Sequence, residues 1–223
     1  RSIWVTGVQT CALPISVDFD SVERGEFVEV SLVSAETSPP ADKYHEANFS
    51  TPHTSYELHQ VPSGLMASIV QRVVQVEGPV HRAEVVVRVR SIWGLQRAGG
   101  RIQAAVDAGI AHAIAQNKVE IADRHFLSIP GQEIRVRDRS EVTSLTLRRP
   151  DYLPPPEIDT ALRLTITENL GASLEELVLC VSRKFGYRST SLQLREVIED
   201  RVHRLIEAGS FQWRGEHIAM ANG

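Results

Sequence analysis

The sequence predicts a mainly helical α+β fold with short β-hairpins, built twice over. Three observations predict it. Apolar residues after Pro62 recur at three- and four-residue spacing, the period of an amphipathic helix. Each set of helical stretches closes on a short run that reads as two strands around a turn. The whole order then repeats at a constant offset of 92 residues.

In chain order, "SGLMASIVQRVVQV" places Leu65, Met66, Ile69, Val70, Val73 and Val74 on one helix face, and Gly78-Pro79 ends that helix. A second helix near residues 81–92 runs to a break at Gly94. A longer third helix, about 97–116, carries Ala98, Ile102, Val106, Ile110 and Ile114 at every fourth position. "KVEIADRHFLSI" then reads as a hairpin. Helix, helix, helix, hairpin is the order of a winged-helix domain, so residues 62–132 are expected to form a first winged-helix-like domain.

Shifted by 92, Glu84 falls on Glu176, Val85 on Leu177, Val89 on Val181, and Trp93-Gly94 on Phe185-Gly186. Ile102 falls on Leu194, Val106 on Ile198, Ile110 on Val202 and Ile114 on Ile206. In the hairpins Val119 meets Phe211, Ile121 meets Trp213, and His125-Phe126 meets His217-Ile218. Agreement over so many apolar positions indicates an internal duplication. Residues 156–221 are therefore the second winged-helix-like domain, and the proline-terminated stretch 133–155 is an extended connector. Asn117 and Gly209 stand where the two long helices need a left-handed residue to stop.

The leading arm reads differently. Residues 16–61 hold a possible strand, "EFVEVSLV", and a Ser/Thr/Pro/Ala-rich stretch expected to act as a linker. Residues 1–15 resemble a translated sequencing adapter: "VTGVQTCALPI" back-translates in frame onto that DNA. They are expected to be an artefactual tail on the C-terminal part of a longer protein, and Cys11 is given no role. A secretory signal is a poor fit, because Thr6, Gly7, Gln9 and Thr10 interrupt its apolar core.

Composition narrows the function classes. The net charge is −4, but residues 1–61 carry three Lys/Arg against nine Asp/Glu, and the remainder carries 21 against 19. The body is thus near neutral and rich in arginine, unlike a histone-like polycation. No apolar run reaches the roughly 18–20 residues that span a bilayer, so no membrane partner is expected. Two cysteines are too few for a disulfide framework and point to a reducing, cytoplasmic setting. Cys180 is expected to be a buried free thiol.

Phosphate-cradling and nucleophile-elbow motifs are lacking from the sequence. His125 and His217 are explained by the repeat as hairpin surface or core edge. Glu84 and Glu176 read as an ion pair or a helix cap. No catalytic residue, metal ligand or cofactor is expected.

The arginines are the candidate site. In a helix-turn-helix the N-terminal end of the second helix meets base edges or phosphates. In the first unit that end is "RAGGRIQ", where Arg97 and Arg101 stand at the positive helix terminus with no acid in the first two turns, which suits an anion such as phosphate. Gln103 is a weaker base-edge candidate. The second unit offers "STSLQLR", with Ser189, Thr190, Gln193 and Arg195 followed by Glu196, Glu199 and Asp200. In the connector, Arg135, Arg137 and Arg139 lie on one side of an extended segment and are further phosphate candidates. The competing expectation is solvated surface or Arg–carboxylate pairing.

The stretch "EGPVHRAEVVVRVRSIWGLQRAGGRI" resembles the signature of domain of unknown function 3320, found at the C-terminal end of very large bacterial superfamily 1 DNA/RNA helicases. The matching residues are Glu77, Gly78, Pro79, His81, Glu84, Arg88, Trp93, Gly94, Arg97, Ala98, Gly99, Arg101 and Ile102. "RRPDYLPPPEID" and "FGYRSTSLQL" resemble its downstream half, so the likeness is expected to cover about residues 40–221. The resemblance implies upstream helicase and nuclease-like domains as partners in the same chain. Together with the arginines it suggests an accessory module that engages nucleic acid, DNA in preference to RNA. The alternative is a protein–protein docking module that touches no nucleic acid.

Overall fold

The structure is a computed structural model that describes residues 42–50 and 56–221. The adapter-like tail and the "EFVEVSLV" strand lie outside the described residues. In chain order the elements are β1 (Asp42–Lys43), α1 (Ser63–Glu77), β2 (Val80–His81), α2 (Arg82–Ile92) and α3 (Gly100–Ala115). Then come β3 (Glu120–Asp123), β4 (Phe126–Ser128), β5 (Arg137–Asp138), α4 (Pro155–Asn169), α5 (Leu174–Lys184), α6 (Leu192–Glu207), β6 (Phe211–Arg214) and β7 (His217–Met220). Helices dominate and the strands are short, an α+β fold.

The repeat is visible in the element bounds. The helices α4, α5 and α6 each begin and end 92 residues after α1, α2 and α3. Their apolar faces close two hydrophobic cores. In the first, Val85, Val89 and Val106 are fully buried; their equivalents Leu177, Val181 and Ile198 are fully buried in the second. Each such side chain contributes roughly 1.5–3 kcal/mol of burial. Sharing that pattern lets two divergent sequences hold the same helix order.

The long helices stop alike. Asn117 (φ 54°) and Gly209 (φ 69°) adopt the left-handed conformation. That bend lets Lys118 N–H reach the Ala113 carbonyl and Ser210 N–H the Leu205 carbonyl, at 3.0 and 2.9 Å. The helix starts differ. His81 caps α2 by accepting from Ala83 N–H, whereas Ser173 and Glu176 form a reciprocal capping box on α5. Glu176 is thus a cap, as its position suggested.

In the first unit β3 and β4 form an antiparallel hairpin, and β2 adds a third strand on the β4 side. In the second, β6 and β7 pair antiparallel and a single bridge, Ala172 to Ile218, stands where β2 would be. Strand β1 pairs with β5 in parallel, Asp42 beside Arg137.

Four details depart from the sequence reading. The third helix begins at Gly100, because Gly99 is extended (φ −79°, ψ 171°) and serves as its N-cap; Arg97 and Ala98 precede it. Where a linker was expected, Tyr44, Ala47, Leu58 and Val61 are buried. A few apolar residues in a polar stretch suffice when the groove they fill is formed by another part of the chain. Cys180 is half-buried rather than buried. The equivalent Ile121 and Trp213 are 57% and 48% exposed, so this matched pair marks the outer face of the hairpins and not the cores.

Candidate nucleic-acid interface

Arginine placement depends on which carboxylates the fold buries. Three glutamates surround Arg88: Glu77 and Glu84 of the first unit, and Glu46 from the stretch before it. Arg88 Nε donates to Glu77 at 2.6 Å, Nη2 to Glu46 at 3.0 Å, and Nη1 lies 3.4 Å from Glu84. Glu77 also accepts from the Tyr44 hydroxyl at 2.8 Å and from Ala47 N–H at 2.9 Å. Burial raises the Glu77 carboxyl above its ordinary value even with Arg88 on it. Glu84 accepts from the hydroxyls of Ser144 and Thr146, so the ion-pair reading of Glu84 holds.

The connector arginines belong to a second buried group. Arg139 Nη2 lies 2.6 Å and Arg137 Nη2 3.1 Å from Glu157 of α4, and Glu157 also accepts from Arg137 N–H at 2.8 Å. Arg137 reaches on to the Glu77 and Pro79 carbonyls, at 2.9 and 3.0 Å. Burial alone would raise the Glu157 carboxyl, but Arg139 and Arg137 hold it below the usual carboxylate range. Arg137 and Arg139 are 8% and 2% exposed, which removes them as phosphate contacts. Of the three arginines expected on one side, Arg137 and Arg139 do share a side, while Arg135 pairs outside with Glu133 and Asp42. That side faces inward, because α4 presents a carboxylate there which extended spacing alone cannot reveal.

Arg135 stays outside, with its guanidinium 2.6 Å from Glu133 and 3.5 Å from Asp42. It is accessible but already paired. Gln103 is exposed on α3 and donates to Asp107 at 3.2 Å, one turn along.

Arg97 and Arg101 differ from all of these. Both are exposed, and neither has a hydrogen-bond or ion-pair partner among the described residues. The first turn of α3 contains no acid, and its N-cap Gly99 supplies no side-chain acceptor, so the helix's first N–H groups are uncapped. A side chain at Gly94, Gly99 or Gly100 would meet no atom within 4 Å, so the approach is open. Arg90, which the sequence reading passed over, braces this loop from α2: its Nη1 donates to the Gln96 carbonyl at 2.8 Å. An arginine in the last turn of a helix before a glycine break is the signal that marks such a brace.

The equivalent start of α6 is self-satisfied. Ser191 caps it through Leu194 N–H, Gln193 donates to Asp151 at 2.6 Å, and Arg195 pairs with Glu199 at 3.2 Å. His125 and His217 are exposed on their hairpins. Among the described residues no group of His, Cys, Asp or Glu is placed to hold a metal ion, and no helix is long and apolar enough to cross a membrane.

Residues 56–104 match the family model described as a protein of unknown function, DUF3320. The match spans α1, α2 and the first turn of α3. It contains both the buried Glu77–Arg88–Glu84 group and the open Arg97–Arg101 surface, and it ends well short of the residue 221 to which the resemblance was expected to extend. No curated protein and no solved structure matched the chain.

Proposed function

We propose that this chain is the C-terminal accessory module of a helicase/nuclease-like protein and holds nucleic acid, DNA in preference to RNA, for the motor. In this reading α2, the glycine turn and α3 act as the helix-turn-helix of a winged-helix-like unit, and the start of α3 meets the phosphate backbone. One observation carries it: Arg97 and Arg101 stand exposed, without partners among the described residues, beside uncapped helix N–H groups. Guanidinium groups and a helix N-terminus together favour an anion. Gln103 would add a contact only by releasing Asp107.

A second reading, docking on a protein partner without nucleic acid, draws on α6. Its surface arginines are matched to acids: Arg195 with Glu199, Arg204 with Asp200, and Arg201 with Asp159 of α4. A surface neutralised in this way does not recruit phosphate.

The two separate by titrating the 223-residue chain into labelled duplex and single-stranded DNA by fluorescence anisotropy at several salt concentrations. Affinity that falls steeply with salt, and is lost in Arg97→Ala/Arg101→Ala, supports the first reading. A folded protein that shows no binding at low salt leaves the docking module.

A further inference from the structure

The turn that joins α2 to α3 carries apolar groups beside its bare arginines. Leu95 is 39% exposed, and Tyr56, from the stretch before α1, is 48% exposed. Trp93, the C-cap of α2, is half-buried and packs against the first hydrophobic core. Its indole Nε1 donates to the Tyr56 carbonyl at 3.3 Å, which ties Tyr56 to the end of α2. Arg97 lies four positions after Trp93, and Arg101 four after that. Even a fully extended chain of four residues spans only about 14 Å, so Trp93 and Arg97 are within reach of one strand of a few nucleotides.

This turn holds its shape without a ligand. Gly94 (φ 66°) supplies the left-handed bend that brings Leu95 N–H to the Arg90 carbonyl at 3.0 Å. The Arg90 side chain then braces the Gln96 carbonyl at 2.8 Å. From Gly94 to Arg101 every residue except Ala98 is exposed. A surface ordered in advance loses less entropy when it binds.

The second unit shows that the fold does not require such an opening. At the offset of 92, Phe185 replaces Trp93 and is fully buried, and Tyr187 replaces Leu95 and is half-buried. Ser189 and Gln193 stand in place of Arg97 and Arg101, so the charge is gone as well. In the first unit, open apolar side chains and unpartnered guanidinium groups occur on one turn. The first turn of α3 adds no acid to offset them, and Glu57, beside Tyr56, faces His59 at 3.5 Å.

We propose that this surface binds single-stranded nucleic acid, with bases against Tyr56, Trp93 and Leu95 and phosphates on Arg97 and Arg101. The inference rests on the nucleic-acid reading above and narrows it. Two cations without acids complement a polyanion, but arginines alone do not separate a duplex from a single strand. Base faces do. A duplex stacks them out of reach and presents phosphates and base edges, whereas an unpaired strand presents phosphates and open faces together.

The test uses the full chain and three labelled DNA probes of equal length in fluorescence anisotropy: a single strand, the same strand made abasic, and a duplex. Tyr56→Ala and Leu95→Ala are chosen because both side chains are exposed and Trp93 holds only the backbone of Tyr56. The single strand is expected to bind about tenfold more tightly than the abasic strand, from the worth of a stacked base, and more tightly than the duplex. Each alanine variant is expected to reduce that advantage while leaving the abasic strand unaffected. Arg97→Ala/Arg101→Ala is expected to weaken all three probes. Equal binding of normal and abasic strands, or indifference to both Tyr56→Ala and Leu95→Ala, overturns the proposal; if the arginine variant still loses binding, the broader nucleic-acid reading survives. A folded protein that binds none of the probes overturns both.

Discussion

Arg139 and Glu157 form an ion pair of 2.6 Å between side chains 1% and 0% exposed. Arg137 shares the same carboxylate, so removing the charge of Glu157 strands two guanidinium groups at once. Glu157→Gln is expected to destabilise the protein by about 3–5 kcal/mol, read from the midpoint of a denaturant unfolding curve. A loss under about 1 kcal/mol would mean that water reaches the pair.

Arg97 and Arg101 are expected to act through charge alone. If they contact phosphates, the double alanine variant lowers the slope of log affinity against log salt by about two charges' worth. Arg135→Ala, which removes a guanidinium already engaged by Glu133 and Asp42, is expected to leave that slope unchanged. A slope altered equally by all three would point to a diffuse field in place of a site.

His81 makes stability depend on mild acid. Burial, then the neighbouring His125 and Arg82, lower its value below the ordinary histidine range. Its Nδ1 accepts from Ala83 N–H at 3.2 Å, and its ring lies 4.4 Å from that of Tyr152. The unfolded chain therefore binds the proton more readily, so the contribution is whole above about pH 6.5 and is lost as pH falls through the lower folded value. Thermal melting at pH 5 is expected below that at pH 7.5. His81→Asn, which keeps an acceptor for the cap, is expected to shrink the difference.

Ser191 and Gly99 occupy corresponding helix starts, yet only the serine supplies a cap. Ser191→Ala is expected to cost about 1 kcal/mol of stability, whereas Gly99→Ser, which adds an acceptor in open space, is expected to stabilise α3. The same Gly99→Ser change is expected to weaken any anion bound at that terminus, since its hydroxyl competes for the N–H groups. Denaturant unfolding and phosphate-backbone affinity together check both effects.

Much of this architecture was readable from spacing. Val85 and Leu177, Val106 and Ile198, Asn117 and Gly209 each behave as a matched pair, because periodic burial and a left-handed stop are local demands. Glu157 illustrates the limit. Its partners lie 18 and 20 residues upstream, so only the folded connector shows Arg137 and Arg139 to be interior. Arg97 and Arg101 stand out in the sequence because they flank a glycine pair at a helix start.

Arg137 has a longer-range consequence. Its guanidinium holds Glu157 of one repeat while capping the Glu77 and Pro79 carbonyls of the other. Deleting the second copy would strand the Arg137 charge, and deleting the first would take two carbonyl acceptors from the same guanidinium. Two halves that stand or fall together need not do the same work. One helix start was left free to keep its arginines bare while its twin closed upon itself.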